Sequence, residues 1–218
     1  MNVLYVTANP KPEANSYSLQ VGRALVEAVK QAQPEIEVVE LNLFEQPVPE
    51  IDGDVLAAWG ALQEGKSFAE LTASQQAKVG GMNAVLEQFL VADRIIFATP
   101  MWNFGFPPRF KAFIDAIIAA GRTFKYTENG PVGLVEGKKL IHIIASGGIY
   151  SHGPASAVAF SDKHVRGVLG FIGVKDVQTV WVEGTAMVGP AQAEEIKEAA
   201  IAHALELVGA FLQEAVAH

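Results

Sequence analysis

The alternation of short apolar runs with longer helix-like segments constrains the fold of this chain more than any other feature. Five runs rich in β-branched residues predict strands at Asn2–Thr7, Ile36–Leu43, Arg94–Thr99, Lys138–Ala145 and Lys175–Glu183. Most of these runs are almost continuously apolar, which is typical of parallel strands covered on both faces. Segments with helical spacing separate them, at about 16–32, 73–91, 107–120, 156–171 and 191–214. Such alternation predicts an α/β fold, in which a doubly wound five-stranded parallel sheet lies between two layers of helices.

Residues 44–72 fit this alternation less well, because prolines and glycines interrupt them. We interpret them as an excursion after the second strand that contains a short helix near 53–63. Trp59 and Phe68 predict that the excursion packs against another surface, and a second subunit is one option. No linker, internal repeat or low-complexity tract divides the chain, so we expect a single domain over residues 1–218.

Composition excludes several classes of function. The formal net charge of −8 argues against nucleic acid as a partner, because phosphate backbones attract basic surfaces. The lack of cysteine excludes thiolate metal sites and cysteine nucleophiles, and it fits a reducing compartment. The N-terminal segment reads as a strand rather than as a targeting peptide, and no apolar stretch reaches the roughly 20 residues of a membrane span. We therefore expect a cytoplasmic protein without a nucleic-acid or membrane partner, and without a metal because the histidines lack the spacing of metal ligands.

Ligands of an open parallel sheet bind beyond the carboxyl ends of its strands, so the loops after the first, third and fourth predicted strands matter most. After the first strand, Asn9, Ser16 and Ser18 gather an amide and two hydroxyl groups where the first helix begins. The N-terminus of a helix favours an anion. The sequence contains neither the G-x-G-x-x-G nor the G-x-x-x-x-G-K-[ST] phosphate-binding motif. The alternative is that Asn15 or Ser16 caps the helix, which does not exclude phosphate binding.

Large apolar side chains follow the third strand, in the run Pro100-Met101-Trp102-Asn103-Phe104. Leaving them bare in a loop is unfavourable, and a planar ligand would cover them well. The alternative is that Trp102 and Phe104 fill a core or a subunit interface.

Paired glycines follow the fourth predicted strand, in the run Ser146-Gly147-Gly148-Ile149-Tyr150. Glycine lets the main chain approach a ligand closely, and successive amides of a turn can hold an electron-rich atom. The alternative is an ordinary turn between a strand and a helix. Taken together, the three loops combine a phosphate seat, a flat apolar wall and a set of amides. That combination predicts a mononucleotide with a planar ring system as the ligand.

Three stretches, residues 99–104, 121–131 and 146–154, resemble the FMN-dependent NADH:quinone oxidoreductases of the azoreductase family. The similarity extends over essentially the whole chain, including Gly170–Gly173 and the Glu183-Gly184 turn, and the excursion is similar to that of the longer-chain, bacillus-type members. The resemblance implies a flavodoxin-like fold, a noncovalently bound FMN and a homodimer with active sites at the subunit interface. It also implies a ping-pong reaction, in which NADH reduces the flavin and a quinone or an aromatic azo compound then takes two electrons.

The resemblance assigns roles to residues that match the motifs of the family. Ser16, Tyr17 and Ser18 match a phosphate-binding trio, and Asn9 falls where some relatives have serine. The matches along the flavin ring are Pro100, Met101, Trp102, Asn103 and Phe104, and those at its polar edge are Ala145, Ser146, Gly147 and Gly148. Tyr150 is a further expected cofactor-binding residue. Many relatives have arginine where this chain has Ser146, which leaves the substrate preference open.

The acceptor cavity is expected to be shaped by Trp102, Phe104, Phe124 and Tyr126, the last two contributed across the dimer interface. Packing of a hairpin is the alternative for Phe124 and Tyr126. No side chain is assigned as a catalytic acid or base, since the flavin carries the chemistry. His142, inside a strand, is expected to be a core residue rather than a ligand. The alternative to the enzyme is a non-catalytic or single-electron flavodoxin-like module that binds FMN.

Overall fold

The strands of the computed structural model, which describes residues 1–213, confirm the predicted central sheet. In chain order they are β1 (Asn2–Thr7), β2 (Glu37–Asn42), β3 (Arg94–Pro100), β4 (Phe124–Thr127), β5 (Gly130–Gly133), β6 (Lys139–Ala145) and β7 (Asp176–Val182). Five of them form one parallel sheet in the order β2-β1-β3-β6-β7. These are the five predicted strands, and no strand end differs from the prediction by more than one residue, which is within the usual uncertainty of element boundaries.

The helices of residues 1–213 are α1 (Tyr17–Ala32), α2 (Gly53–Gln63), α3 (Ala73–Val91), α4 (Pro108–Ile117), α5 (Phe160–Ile172), α6 (Pro190–Glu206) and α7 (Val208–Leu212). The predicted helix at 156–171 is divided, because residues 154–158 form a 3-10 turn before α5 begins. The predicted helix at 191–214 breaks at Leu207 into α6 and α7, and residue 214 lies outside the described residues. The short helix expected near 53–63 is α2.

Two apolar layers cover the two faces of the sheet. On one face, side chains of α1, α6 and α7 pack against strand residues such as Val3, Ile96 and Ile143. On the other face, α3, α4 and α5 pack against the alternate strand residues, such as Leu4, Phe97 and Leu140. Because neighbouring residues of a strand point to opposite faces, each strand contributes to both layers. The three-layer α/β/α arrangement is therefore confirmed.

An antiparallel hairpin between α4 and β6 was not predicted as strands. In it, β4 pairs with β5, and Phe124 lies opposite Gly133. Gly133 is in close contact with the end of α5, where a Cβ atom would fall 2.3 Å from the carbonyl carbon of Ile172. Any larger residue at this position would push the hairpin off the helix. The sequence analysis treated this segment as a loop, because each strand has only four residues.

The excursion after β2 packs on its own chain. Ala58, Leu71 and Val79 form a small buried cluster, and Trp59 packs both on it and on the main core. A cavity of about 510 Å³ lies beside Trp59, Met82 and Phe124. Within residues 1–213, no helix has the length and apolar character that crossing a membrane requires.

Candidate functional site

The carboxyl ends of β1, β3 and β6 place the three loops singled out in the sequence at one edge of the sheet. The chain leaves β1 toward β2 on one side and leaves β3 toward β6 on the other, so the strand order reverses between β1 and β3. Loops that diverge from such a point leave a crevice, and ligands of open α/β sheets bind there. The fold therefore fixes where a ligand is expected before any side chain is considered.

The first loop and the start of α1 form a polar cluster that we call the anion end, consisting of Asn9, Ser16, Tyr17 and Ser18. The Asn9 Nδ2 amide donates to Ser16 Oγ at 2.8 Å, and Ser16 Oγ lies 3.3 Å from Ser18 Oγ. Asn9 is held in this orientation because its Oδ1 accepts from the Lys11 backbone amide at 3.0 Å. All three polar side chains are buried, Ser18 completely.

Ser16 is also the N-cap of α1, since its Oγ accepts from the Leu19 amide at 3.4 Å. The capping alternative is thus correct for Ser16, and it does not exclude an anion seat. Among the described residues, no acceptor lies within hydrogen-bonding reach of the amides of Tyr17 and Ser18. Two free amides, the positive end of the helix dipole and two hydroxyl groups are the groups that hold a phosphate at a helix N-terminus.

The loop after β3 forms a tight turn that we call the aromatic turn, residues 101–105. The Trp102 amide donates to the Gly105 carbonyl at 3.1 Å, and the Gly105 amide returns a bond to the Trp102 carbonyl at 2.9 Å. Asn103 and Phe104 between them both have positive φ, 49° and 67°. This is the type I′ conformation, which Asn tolerates and Phe disfavours. Backbone strain of this kind is concentrated at functional sites.

The aromatic turn presents its rings to solvent. Trp102 is 39% exposed and Phe104 is 45% exposed, although both belong to residue types that are normally covered. The turn is tied to the sheet and to a helix, because the Met101 amide donates to the Ala145 carbonyl of β6 at 2.7 Å and the Phe104 carbonyl accepts from the Ser161 amide of α5 at 3.1 Å. The interpretation of these rings as a core plug is wrong for the single chain.

Two further aromatic side chains surround the turn. The Phe104 ring packs edge-on against Tyr150, with centroids 6.0 Å apart, which joins the second loop to the third. On the other side Trp102 packs edge-on against Phe44 at 6.4 Å, and the Arg109 guanidinium lies 4.9 Å above the Phe44 ring. The sequence analysis did not single out Phe44. Its position directly after β2, at the same sheet edge, is the signal that would have found it.

The loop after β6 exposes a row of backbone amides. Within residues 1–213, the amides of Gly147, Gly148 and Ile149 have no hydrogen-bond acceptor. Gly147 faces solvent, and Gly148 lies close to the Tyr150 ring, where a Cβ atom would fall at 3.1 Å. Ser146 points away from solvent and donates its hydroxyl to the Gly148 carbonyl at 2.8 Å. A row of free amides beside two glycines suits an electron-rich edge of a planar ligand.

The structure separates Phe124 and Tyr126 from this group of residues. Phe124 is buried in the core of its own chain, with its ring 4.7 Å from that of Phe171, as the hairpin-packing alternative expects. Tyr126 is 76% exposed on the hairpin. In the described part of the chain, no ring contact joins either residue to Trp102 or Phe104, so within one chain these two pairs do not form a common cavity.

His142 lies in the middle of β6 and is fully buried. Its Nε2 lies 2.9 Å from Thr99 Oγ1, and its ring stacks on Phe110 at 5.9 Å. Burial in this apolar layer lowers the pKa of His142 to about 3, so the ring is neutral at physiological pH. The expectation that His142 is a core residue is confirmed.

A doubly wound sheet with an anion seat, free amides and an aromatic wall at its switch point defines a protein of the mononucleotide-binding, flavodoxin type. The chain belongs to the family described as having a flavodoxin-like fold, whose model matches residues 1–208.

Relatives of similar length agree with this assignment. The FMN-dependent NADH:quinone oxidoreductase 2 of Bacillus thuringiensis subsp. konkukian is 54% identical over 209 residues, which cover 96% of this chain and 99% of the relative. The FMN-dependent NADH:quinone oxidoreductase of Geobacillus kaustophilus is 51% identical over the same shares of the two chains.

Two solved structures have nearly the same fold. The azoreductase of Bacillus anthracis str. Sterne superposes with a TM-score of 0.88 at 36% identity and covers 96% of this chain and 99% of its own. An FMN-dependent NADH-azoreductase of Bacillus anthracis str. Ames Ancestor, solved in complex with FMN, superposes with a TM-score of 0.90 at 32% identity, over 97% of this chain and 99% of its own. The resemblance inferred from the sequence motifs is confirmed.

Proposed function

We propose that this protein is an FMN-dependent NADH:quinone oxidoreductase that also reduces aromatic azo compounds. The observation that carries the proposal is the pairing, at one switch point, of a buried anion seat with an exposed aromatic wall. Relatives that are 51% and 54% identical over nearly their whole length carry the name FMN-dependent NADH:quinone oxidoreductase. The solved structures that superpose well are azoreductases, one of them with FMN bound.

The residues present fit FMN at both of its ends. The free amides of Tyr17 and Ser18, with the hydroxyls of Ser16 and Ser18, would hold the phosphate. The amides of Gly147, Gly148 and Ile149 would meet the polar edge of the ring, and the aromatic turn would lie along it. Asn9 orients Ser16 rather than competing with it, since its amide donates to the Ser16 oxygen, and the Ser16–Ser18 pair, which shares one hydrogen bond, keeps one hydroxyl proton for the phosphate.

In this proposal the protein binds FMN, orients it and leaves its ring accessible to substrates. When bound, FMN supplies the redox chemistry, taking a hydride from NADH and delivering two electrons to the acceptor. Amide donors at the ring edge stabilise negative charge there, because they are fixed before the charge develops. Trp102 and Phe104 provide the flat apolar surface on which a nicotinamide and then an acceptor ring can stack. Use of one surface by two flat molecules in turn agrees with a ping-pong reaction.

A homodimer belongs to the same proposal, with Tyr126 of one chain covering the acceptor cavity of the other. What supports it is the exposure of Tyr126, Trp102 and Phe104, which is unfavourable in a lone chain. Sedimentation analysis should give the mass of two chains. Tyr126→Ala should lower the activity toward quinones. As a control, Phe68→Ala removes an exposed ring from the excursion and should leave the activity unchanged. A cytoplasmic site of action is proposed with it, and the lack of cysteine fits such a reducing compartment.

The experiment that tests the function starts from purified protein reconstituted with FMN. Anaerobic NADH should bleach the flavin absorbance, and benzoquinone or an azo dye should restore it. Initial rates measured at several NADH concentrations should give parallel lines in double-reciprocal plots against the acceptor concentration. A protein that takes up no FMN contradicts the proposal. Bound FMN that NADH does not reduce would favour the non-catalytic or single-electron module instead.

A further inference from the structure

The loop that carries the free amides is held by a second segment, residues 183–186, which directly follows β7 and which we call the brace. Every carbonyl of Ser146, Gly147 and Gly148 accepts a hydrogen bond from it. The Thr185 hydroxyl donates to Ser146 at 3.1 Å, the Ala186 amide donates to Gly147 at 3.1 Å, and the Gly184 amide donates to Gly148 at 3.0 Å. The three carbonyls therefore point toward one segment.

This pattern fixes the direction of the free amides. The peptide bonds of the described residues are trans, and in a trans peptide the carbonyl of one residue and the amide of the next point in opposite directions. When the carbonyls of residues 146–148 point into the brace, the amides of Gly147, Gly148 and Ile149 must point away from it. The three amides thus face the same side, where no acceptor of the described chain meets them.

Glu183 fixes the far end of the same loop. Its carboxylate accepts from the amides of Tyr150 at 2.6 Å and Ser151 at 2.9 Å, and from the Ser151 hydroxyl. The Glu183 side chain is only 13% exposed, so solvent competes little for these bonds. Gly184, with φ of 78°, lets the brace turn back beneath the loop, and a Cβ atom there would fall 3.3 Å from Ile149.

We propose that the brace is the positioning segment of the flavin site, and that Thr185 is the residue whose side chain helps to position the row of amides. By holding the carbonyl side of the loop, it keeps three amides aligned on the ring edge of FMN. The bonds from Gly184 and Ala186 come from the backbone, so Thr185 is the brace side chain that acts on the amide row, while Glu183 acts on residues 150 and 151. This inference rests on the proposed function, because it requires that FMN occupies the crevice.

The test compares three variants by their affinity for FMN and by the midpoint potential of the bound flavin. Thr185→Val removes the hydroxyl donor and should lower the affinity of the two-electron-reduced form more than that of the oxidised form, because misaligned amides stabilise charge less. The loss of one hydrogen bond predicts a change of about threefold to tenfold in the ratio of the two affinities. For a two-electron couple this lowers the potential by about 15 to 30 mV.

Two controls separate positioning from general stability. Thr185→Ser keeps the donor and should restore the wild-type potential. Thr72→Val removes the threonine that caps α3, so it should lower the Tm and leave the potential unchanged. The inference is overturned if Thr185→Val binds FMN with wild-type affinity and potential, or if Thr72→Val shifts the potential as much.

A measurement on the unaltered protein covers the case in which Thr185→Val does not fold. FMN should slow hydrogen exchange at the amides of Gly147, Gly148 and Ile149 together, and exchange that stays fast at all three overturns the inference. If the unaltered protein binds no FMN at all, the proposed function fails first, and this inference falls with it.

Discussion

The two ends of the crevice are built in opposite ways. The anion end is polar and buried, and it comes from a short stretch of chain between Asn9 and Ser18. The ring end is apolar and exposed, and it joins the aromatic turn to Phe44 and Tyr150, which are distant in sequence. We expect this difference to separate two tasks, with one end retaining a cofactor and the other remaining open to the substrates.

We expect the largest effect from a substitution at the anion end, on the affinity for FMN. Ser18→Ala removes a fully buried hydroxyl, and because hydrogen bonds to charged groups contribute more than neutral ones, the Kd for FMN should rise about tenfold to a hundredfold. Riboflavin, which lacks the phosphate, should bind the variant and the wild type equally. Titration of flavin fluorescence measures both constants, and an equal loss for the two ligands would mean that Ser18 does not act on the phosphate.

The next largest effect should be on stability, and it comes from backbone strain at the ring end. Phe104 has a φ of 67°, a conformation that glycine adopts freely and alanine does not. Phe104→Gly and Phe104→Ala both remove the ring, so the glycine variant should be the more stable of the two by about 1–2 kcal/mol. Urea denaturation measures the difference. Equal stability would show that the aromatic turn relaxes when the ring is lost.

The buried His142 of β6 predicts that the stability of the fold depends on pH. Its folded-state pKa of about 3 lies below the ordinary value of 6.5, so the unfolded chain binds a proton that the folded chain does not. Stability from this group is therefore complete above about pH 6.5 and is lost as the pH falls toward about 3. His142→Gln should lose less stability than the wild type between about pH 7 and pH 5.5, by about 1 kcal/mol. Denaturation curves at the two pH values that fall in parallel for both proteins would contradict this.

The smallest effect is expected for Trp102, because its ring is partly in solvent and contacts Phe44 only edge-on. Trp102→Ala should lower kcat/KM for benzoquinone about threefold, at the lower range for an aromatic contact, and leave FMN affinity unchanged. Val91→Ala shortens an exposed apolar residue at the end of α3, away from the carboxyl ends of the strands, and serves as the control. A large loss of FMN affinity in Trp102→Ala would contradict the expected division of tasks between the two ends.

Much of the fold was predictable because its signals are local and periodic. Most of the five strands of the sheet are almost continuous apolar runs, and the switch point follows from their alternation with helices. The hairpin was missed because Phe124–Thr127 is short and three of its four residues are exposed, so it shows no buried stripe. Its position depends on contact with Ile172 and Gly173, which are far away in sequence.

The candidate site was predictable where residue type alone indicates chemistry. Serines at a helix start and glycines after a strand can be recognised without a structure. The brace could not, because its bonds to residues 146–148 join backbone atoms of segments separated by almost forty residues and only Thr185 contributes a side chain. The left-handed conformation of Phe104 was equally hidden, since phenylalanine rarely adopts it.

The hydrogen bonds among Asn9, Ser16 and Ser18 have a practical consequence. Because these side chains hydrogen-bond to one another, we expect the anion end to keep its shape without a phosphate. We therefore expect the protein to release FMN and take it up again without refolding. The fraction of purified protein that carries FMN would then depend on how the sample was prepared, and added FMN should fill the empty sites.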